Sequence, residues 1–153
     1  MECHLAGYVV DHFAVGDLNQ DHRLDFLVVY RNQRVARQRT EGASTVEEGQ
    51  LAVMLNEGWP QLRLVAVAPL GCLGTGCTFR GVTVKGRYFS VERLEGDCEK
   101  TYTVHTYRYA PAQRNWQLYK IGERLYSLCS YNAGEEEYSE QTRRDFGRVV
   151  FGQ

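Results

Sequence analysis

In the stretch "GDLNQDHRLDFLVVY", Asp17, Asn19, Asp21 and Asp25 place side-chain oxygens at odd intervals of one short loop, and the backbone carbonyl of Arg23 falls between them. Calcium takes about six to eight oxygen ligands, and a tight loop supplies several by setting carboxylates and amides at alternate positions. The spacing therefore predicts a Ca2+ loop with Asp17, Asn19, Asp21, Arg23 and Asp25 as ligands. His22 stands where glycine would make the sharp turn, and Val28 stands where a helical hand would carry its bidentate Glu. A helix-loop-helix hand is thus excluded. The rival is a solvated turn, because Asp and Asn side chains bond their own backbone in turns. Either role is structural, since a catalytic metal leaves an open position beside other reactive groups.

The five cysteines are Cys3, Cys72, Cys77, Cys98 and Cys129. "GCLGTGC" sets Cys72 and Cys77 across a glycine-rich loop flexible enough to bring two sulfurs to bonding distance. A Cys72–Cys77 disulfide is expected, with Cys98 to Cys129 as the second bridge and Cys3 left over. Two alternatives stay open: a zinc set of Cys72, Cys77, Cys98 and His105, whose spacing is unlike the usual paired knuckles, and plain buried thiols. No catalytic residues are expected. His4, His12, His22 and His105 are scattered, and the chain lacks HExxH, GxSxG and a phosphate-binding glycine loop with lysine.

A chain of 153 residues is long enough for one domain, expected over 1–153, that buries most of its apolar side chains. The balance of 43% hydrophobic, 12% aromatic and 24% charged residues, with net charge -1, lacks the basic signature of a nucleic-acid binder. No run approaches the ~20 apolar residues that cross a bilayer, so no transmembrane segment is expected. "MECHLAGYVVDH" has neither the basic nor the apolar region of an export signal.

The elements that must hold the loop read as strands. "GYVVDHFAV", "LDFLVVY", "QLAVMLN" and "QLRLVAVAPL" are short and rich in β-branched residues. "RGVTVKGRYFSVERLEG" reads as a hairpin about Lys85 and Gly86. In "KTYTVHTYRYAPAQRNWQLYKIG", Tyr102, Val104, Thr106 and Arg108 share one face, and His105, Tyr107 and Tyr109 the other. Residues 31–49 read as a polar loop with a helical turn near Ser44–Glu48. "SYNAGEEEYSEQTRRD" reads as loop or short helix, and "FGRVVF" as a last strand. The expected fold is all-β: an antiparallel sandwich or barrel-like sheet with long loops and little helix.

The segment "GDLNQDHRLDFLVV" resembles the strand-flanked calcium loops of FG-GAP and VCBS repeats. With the hairpin and "TYTVHTYRYAPAQRNW", it is similar to small exported bacterial proteins that carry a single such loop. The resemblance implies a periplasmic or secreted location and a calcium cofactor, and it transfers no activity. With no catalytic constellation in sight, the expected function is non-catalytic binding of another protein, as a periplasmic inhibitor or immunity protein that blocks a secreted toxin or hydrolase. Tyr107, Tyr109 and Trp116 would anchor the partner, and Arg34, Arg37 and Arg39 would form a polar rim. An envelope glycan-binding module, or a hydrolase with a site assembled from distant residues, is the alternative.

Overall fold

The computed structural model describes residues 7–32, 49–70, 76–127 and 136–152. Among the described residues nine strands follow one another: β1 (Tyr8–Gly16), β2 (Asp25–Asn32), β3 (Gly49–Gly58), β4 (Gln61–Pro69), β5 (Thr78–Lys85), β6 (Tyr88–Glu95), β7 (Glu99–Ala110), β8 (Asn115–Ser127) and β9 (Glu136–Thr142). One helical turn, α1 (Arg143–Phe146), comes after them. The strands form two antiparallel meanders, a four-stranded sheet in the order β1-β2-β3-β4 and a five-stranded sheet in the order β5-β6-β7-β8-β9.

The all-β expectation holds because the sequence alternates at the period of a pleated strand. Leu27 and Val29 of β2 and Leu51, Val53 and Leu55 of β3 share one core cluster with Val82, Phe89, Val91, Tyr109 and Trp116 of the second sheet. That cluster is the inner layer of a sandwich. It is aromatic at one end, where Phe89 stacks on Tyr107 at 5.0 Å and Phe151 meets Phe89 edge-on at 5.1 Å. Offset and edge-on rings add to the burial energy because the ring edge is positive and the face negative.

Three boundaries differ from the sequence reading. The β5–β6 hairpin pairs Lys85 with Tyr88, so its two turn residues are Gly86 and Arg87, and Gly86 takes φ 54. The segment expected as loop or helix supplies β9, whose Glu140 stands opposite Gly122 of β8, and among its described residues helix begins only at Arg143, in Arg143–Phe146. Pairing with the long edge of β8 satisfies more backbone groups than a short charged helix could. "FGRVVF" is no full strand: Val150 makes one bridge to Gln117, and the chain then turns Phe151 into the core. The helical turn expected at Ser44–Glu48 lies outside the described residues.

Candidate functional site

The aspartate loop joins β1 to β2. Asp17 accepts the N–H groups of Asp21 and His22 at 3.0 Å each, Asn19 Oδ1 accepts that of Asp21 at 3.1 Å, and Asp21 accepts that of Arg23 at 2.9 Å. Gln20 and His22 take positive φ, 65 and 66, so the turn is made without glycine. Asp25 stands apart. It is fully buried, and its two oxygens accept the N–H of Leu18 at 2.9 Å and of Asn56 on β3 at 3.0 Å. Burial lifts the Asp25 carboxyl above its ordinary range, although the N–H groups of Asn56 and Leu18 pull it down. Asp25 thus clamps the loop to the neighbouring strand.

Asp17, Asn19, Asp21 and the carbonyl of Arg23 are hard oxygen donors, of the type calcium takes. Among the described residues, no group of three or more His, Cys, Asp or Glu side chains is placed to hold a metal ion. Cys77 and Cys98 are disulfide-bonded, whereas Cys72 and Cys129 lie outside the described residues.

The residues expected to anchor a partner are in the core. Trp116 is 2% exposed, Tyr109 is buried against it with ring centroids 4.9 Å apart, and Tyr107 packs on Phe89. The alternation of faces along β7 was read correctly and its direction was not, because the second sheet turns its heavier aromatic face toward the first. Arg34, Arg37 and Arg39 lie outside the described residues.

The surface that the sequence reading missed is the outer face of the four-stranded sheet. Strand register puts Val10 beside Tyr30, Phe13 beside Val28 and Val15 beside Phe26. It carries the same row through Met54 and Ala52 of β3 to Leu64 and Val67 of β4. Tyr8, Gln50, Asn56, Leu62 and Pro69 complete the face among described side chains, and none of these residues is charged. Phe13 is 64% exposed, and Val10 and Leu64 are also exposed. At the end of this sheet the β3–β4 turn holds out Trp59, 85% exposed. The signal was present in "LDFLVVY" and "QLAVMLN", which are apolar at both parities, as in strands covered on both faces.

The outer face of the five-stranded sheet mixes aromatic side chains with charges of both signs. Arg108 lies over the Tyr119 ring at 5.1 Å, and Tyr88 meets Tyr119 edge-on at 5.5 Å. Lys120 donates to Glu140 at 3.1 Å, as does the Tyr138 hydroxyl at 2.9 Å, and these bonds hold the Glu140 carboxyl below its usual range. Burial, with the hydrogen bond its hydroxyl donates to Glu92, pushes Tyr102 up to about 12.

Asp11, His12 and His105 have separate neighbours. Asp11 pairs with Arg31 at 2.6 Å, His12 meets the Phe79 ring, and His105 lies 3.3 Å from the Arg93 guanidinium. Comparison of the chain with protein-family models, with curated proteins and with solved structures gives no match.

Proposed function

We propose that this chain is a non-catalytic binding protein that docks another protein on the outer face of its four-stranded sheet. The observation that carries the reading is the absence of charge among the described side chains of that face in a chain that is 24% charged. Four strands about 4.8 Å apart, with roughly eight residues each at about 3.3 Å, cover about 500 Å². Paired with an equal partner surface, the face would bury about 1,000 Å², the scale of a specific interface. Trp59, at its end, has the residue type and exposure of an interface anchor. The partner that fits is a protein with an apolar, weakly charged surface of similar size.

An exported location, as a periplasmic or secreted inhibitor or immunity protein, is part of this proposal. The disulfide-bonded state of Cys77 and Cys98 supports an oxidising compartment. Calcium held by Asp17, Asn19, Asp21 and the Arg23 carbonyl would stiffen the β1–β2 loop beside that face. Calcium should then raise the melting temperature relative to chelator, and Asp17→Ala should abolish the rise; a melt indifferent to calcium removes the cation from the proposal.

The binding test is affinity capture from the native extract with wild type, Phe13→Asp and Leu64→Asp, alongside sedimentation of the purified chain. One stoichiometric protein captured by wild type and lost in both variants supports the reading. Capture that survives both substitutions overturns it, as does a wild-type chain that captures nothing. Dimerisation of the chain alone, abolished by Phe13→Asp, would assign the face to a second copy instead.

A further inference from the structure

We propose that a cleft between the β5–β6 turn, β7 and α1 is a binding site for a phosphate-type oxyanion. Arg87, Arg108, Arg143 and Arg148 all line it, together with Gln113 and Gln117, in a volume of about 310 Å³. Each arginine comes from a different segment: the β5–β6 turn, β7, α1 and the segment after α1. A second hollow of about 320 Å³ shares Arg108 and Arg143 and adds Arg144, while Lys120 and Glu140 on its wall neutralise each other. In a chain of net charge -1, this gathers positive charge in one place.

The nearby carboxylates are engaged elsewhere. Asp145 Oδ2 accepts the N–H of Thr142 at 2.7 Å and its hydroxyl at 3.2 Å, while Glu140 is held by Lys120 and Tyr138. Ion pairs among the described residues join Arg31 to Asp11, Arg63 to Glu57, Lys120 to Glu140 and His22 to Asp17, so none involves the four cleft arginines. Guanidiniums facing one cavity without a counter-charge repel each other, and an anion between them removes that repulsion.

Two features favour a phosphate-type group over a single carboxylate. A planar carboxylate is met by one guanidinium fork, whereas a tetrahedral dianion directs oxygens toward several forks at once. The volume is also at the small end of ligand sites, suited to a phosphate or pyrophosphate group. Arg108 is steadied for the purpose by the Tyr119 ring beneath it, as is Arg87 by Tyr88 at 5.7 Å. Planar cations stack well on such rings. Gln113 and Gln117 offer amide donors to the remaining oxygens.

The test titrates inorganic phosphate and pyrophosphate into the full chain by calorimetry at low salt, with Arg108→Gln, Arg148→Gln and, as control, Lys100→Gln at the far end of β7, opposite Tyr126. Pyrophosphate should bind at least tenfold more tightly than chloride competes, and both arginine variants should lose tenfold or more while Lys100→Gln matches wild type. Arg148→Gln, exposed beyond α1, keeps the test valid if Arg108→Gln disturbs the stacked ring. Flotation with vesicles containing phosphatidylglycerol separates the sources: binding lost in Arg148→Gln assigns a lipid headgroup, and soluble binding without flotation assigns a free ligand. Absence of binding in every arm, or binding that both arginine variants retain, overturns the site.

Discussion

Gly16, at the end of β1, lies so close to Val84 of β5 that a Cβ added there would overlap Val84 Cγ1 and stand 3.3 Å from Val84 Cβ. These two edge strands are where the sheets come together, and the side-chain-free position lets them approach. Gly16→Ala should therefore destabilise the fold by about 1–3 kcal/mol, the range for an overpacked contact. Gly81→Ala on β5, where a Cβ would meet nothing within 4 Å, should change stability by less than about 0.5 kcal/mol. Urea unfolding midpoints of the two variants decide it; equal midpoints would mean that the sheets can part without cost.

The Asp25 clamp makes a second prediction. Its carboxylate satisfies two backbone donors, Leu18 N–H and Asn56 N–H, in a site without solvent. Asn has one acceptor oxygen, so Asp25→Asn leaves one of those N–H groups facing an amide NH2. A hydrogen bond to a charged group contributes about 1.5–3 kcal/mol, and a loss on the order of 2 kcal/mol is expected. Amide hydrogen exchange should show it locally, with protection lost first at Leu18 and Asn56. Unchanged protection there would show that the loop holds without the clamp.

Much of the fold could be read from local alternation. β1 to β8 were legible because their β-branched runs are punctuated by Gly, Pro and polar turns. β9 was not, since "EEYSEQT" has the composition of a solvated segment and becomes a strand only because β8 offers it an edge. The direction of each face was hidden for a related reason. Period-two alternation separates Tyr102 from Tyr107 but does not say which side meets the other sheet, and so Trp116 was placed outside while Trp59 went unremarked. The cleft arginines were illegible too: Arg87, Arg108, Arg143 and Arg148 meet only through the order of the second sheet. The Asp17–Asp21 turn was legible because all its bonds are local, whereas the role of Asp25 depended on Asn56, across the sheet.

His105 gives a pH dependence. Burial, with the charge of Arg93 beside it, lowers the imidazole to about 4 from its ordinary value of 6.5. Above pH 6.5 it is neutral in the folded and unfolded chains alike, and its full contribution to stability is present. Between 6.5 and 4 only the unfolded chain takes up the proton, so stability falls as the pH falls, by up to about 1.4 kcal/mol per unit. With partial exposure discounted, the loss over this window is on the order of 2–3 kcal/mol. His105→Gln keeps an acceptor for Arg93 and does not titrate. Its stability should fall less than wild type between pH 7 and 4.5 in paired urea titrations, and parallel falls would remove His105 as the cause.

The aromatic end of the core rests on a residue beyond the last strand. Phe151 donates its N–H to the Trp116 carbonyl at 2.9 Å and sets its ring edge-on to Phe89 at 5.1 Å and to Tyr107 at 5.2 Å. One side chain therefore closes the gap between β6, β7 and β8 at the sandwich end. Phe151→Ala leaves a cavity that these large rings cannot fill by small movements, and a loss of about 3 kcal/mol is expected. Val149→Ala, two residues earlier and exposed, should shift the unfolding midpoint little. Near-ultraviolet circular dichroism adds a second readout, because Trp116, Tyr107 and Phe89 take their asymmetric environment partly from this ring. A Phe151→Ala protein with wild-type midpoint and spectrum would mean that the aromatic cluster is held by the two sheets alone.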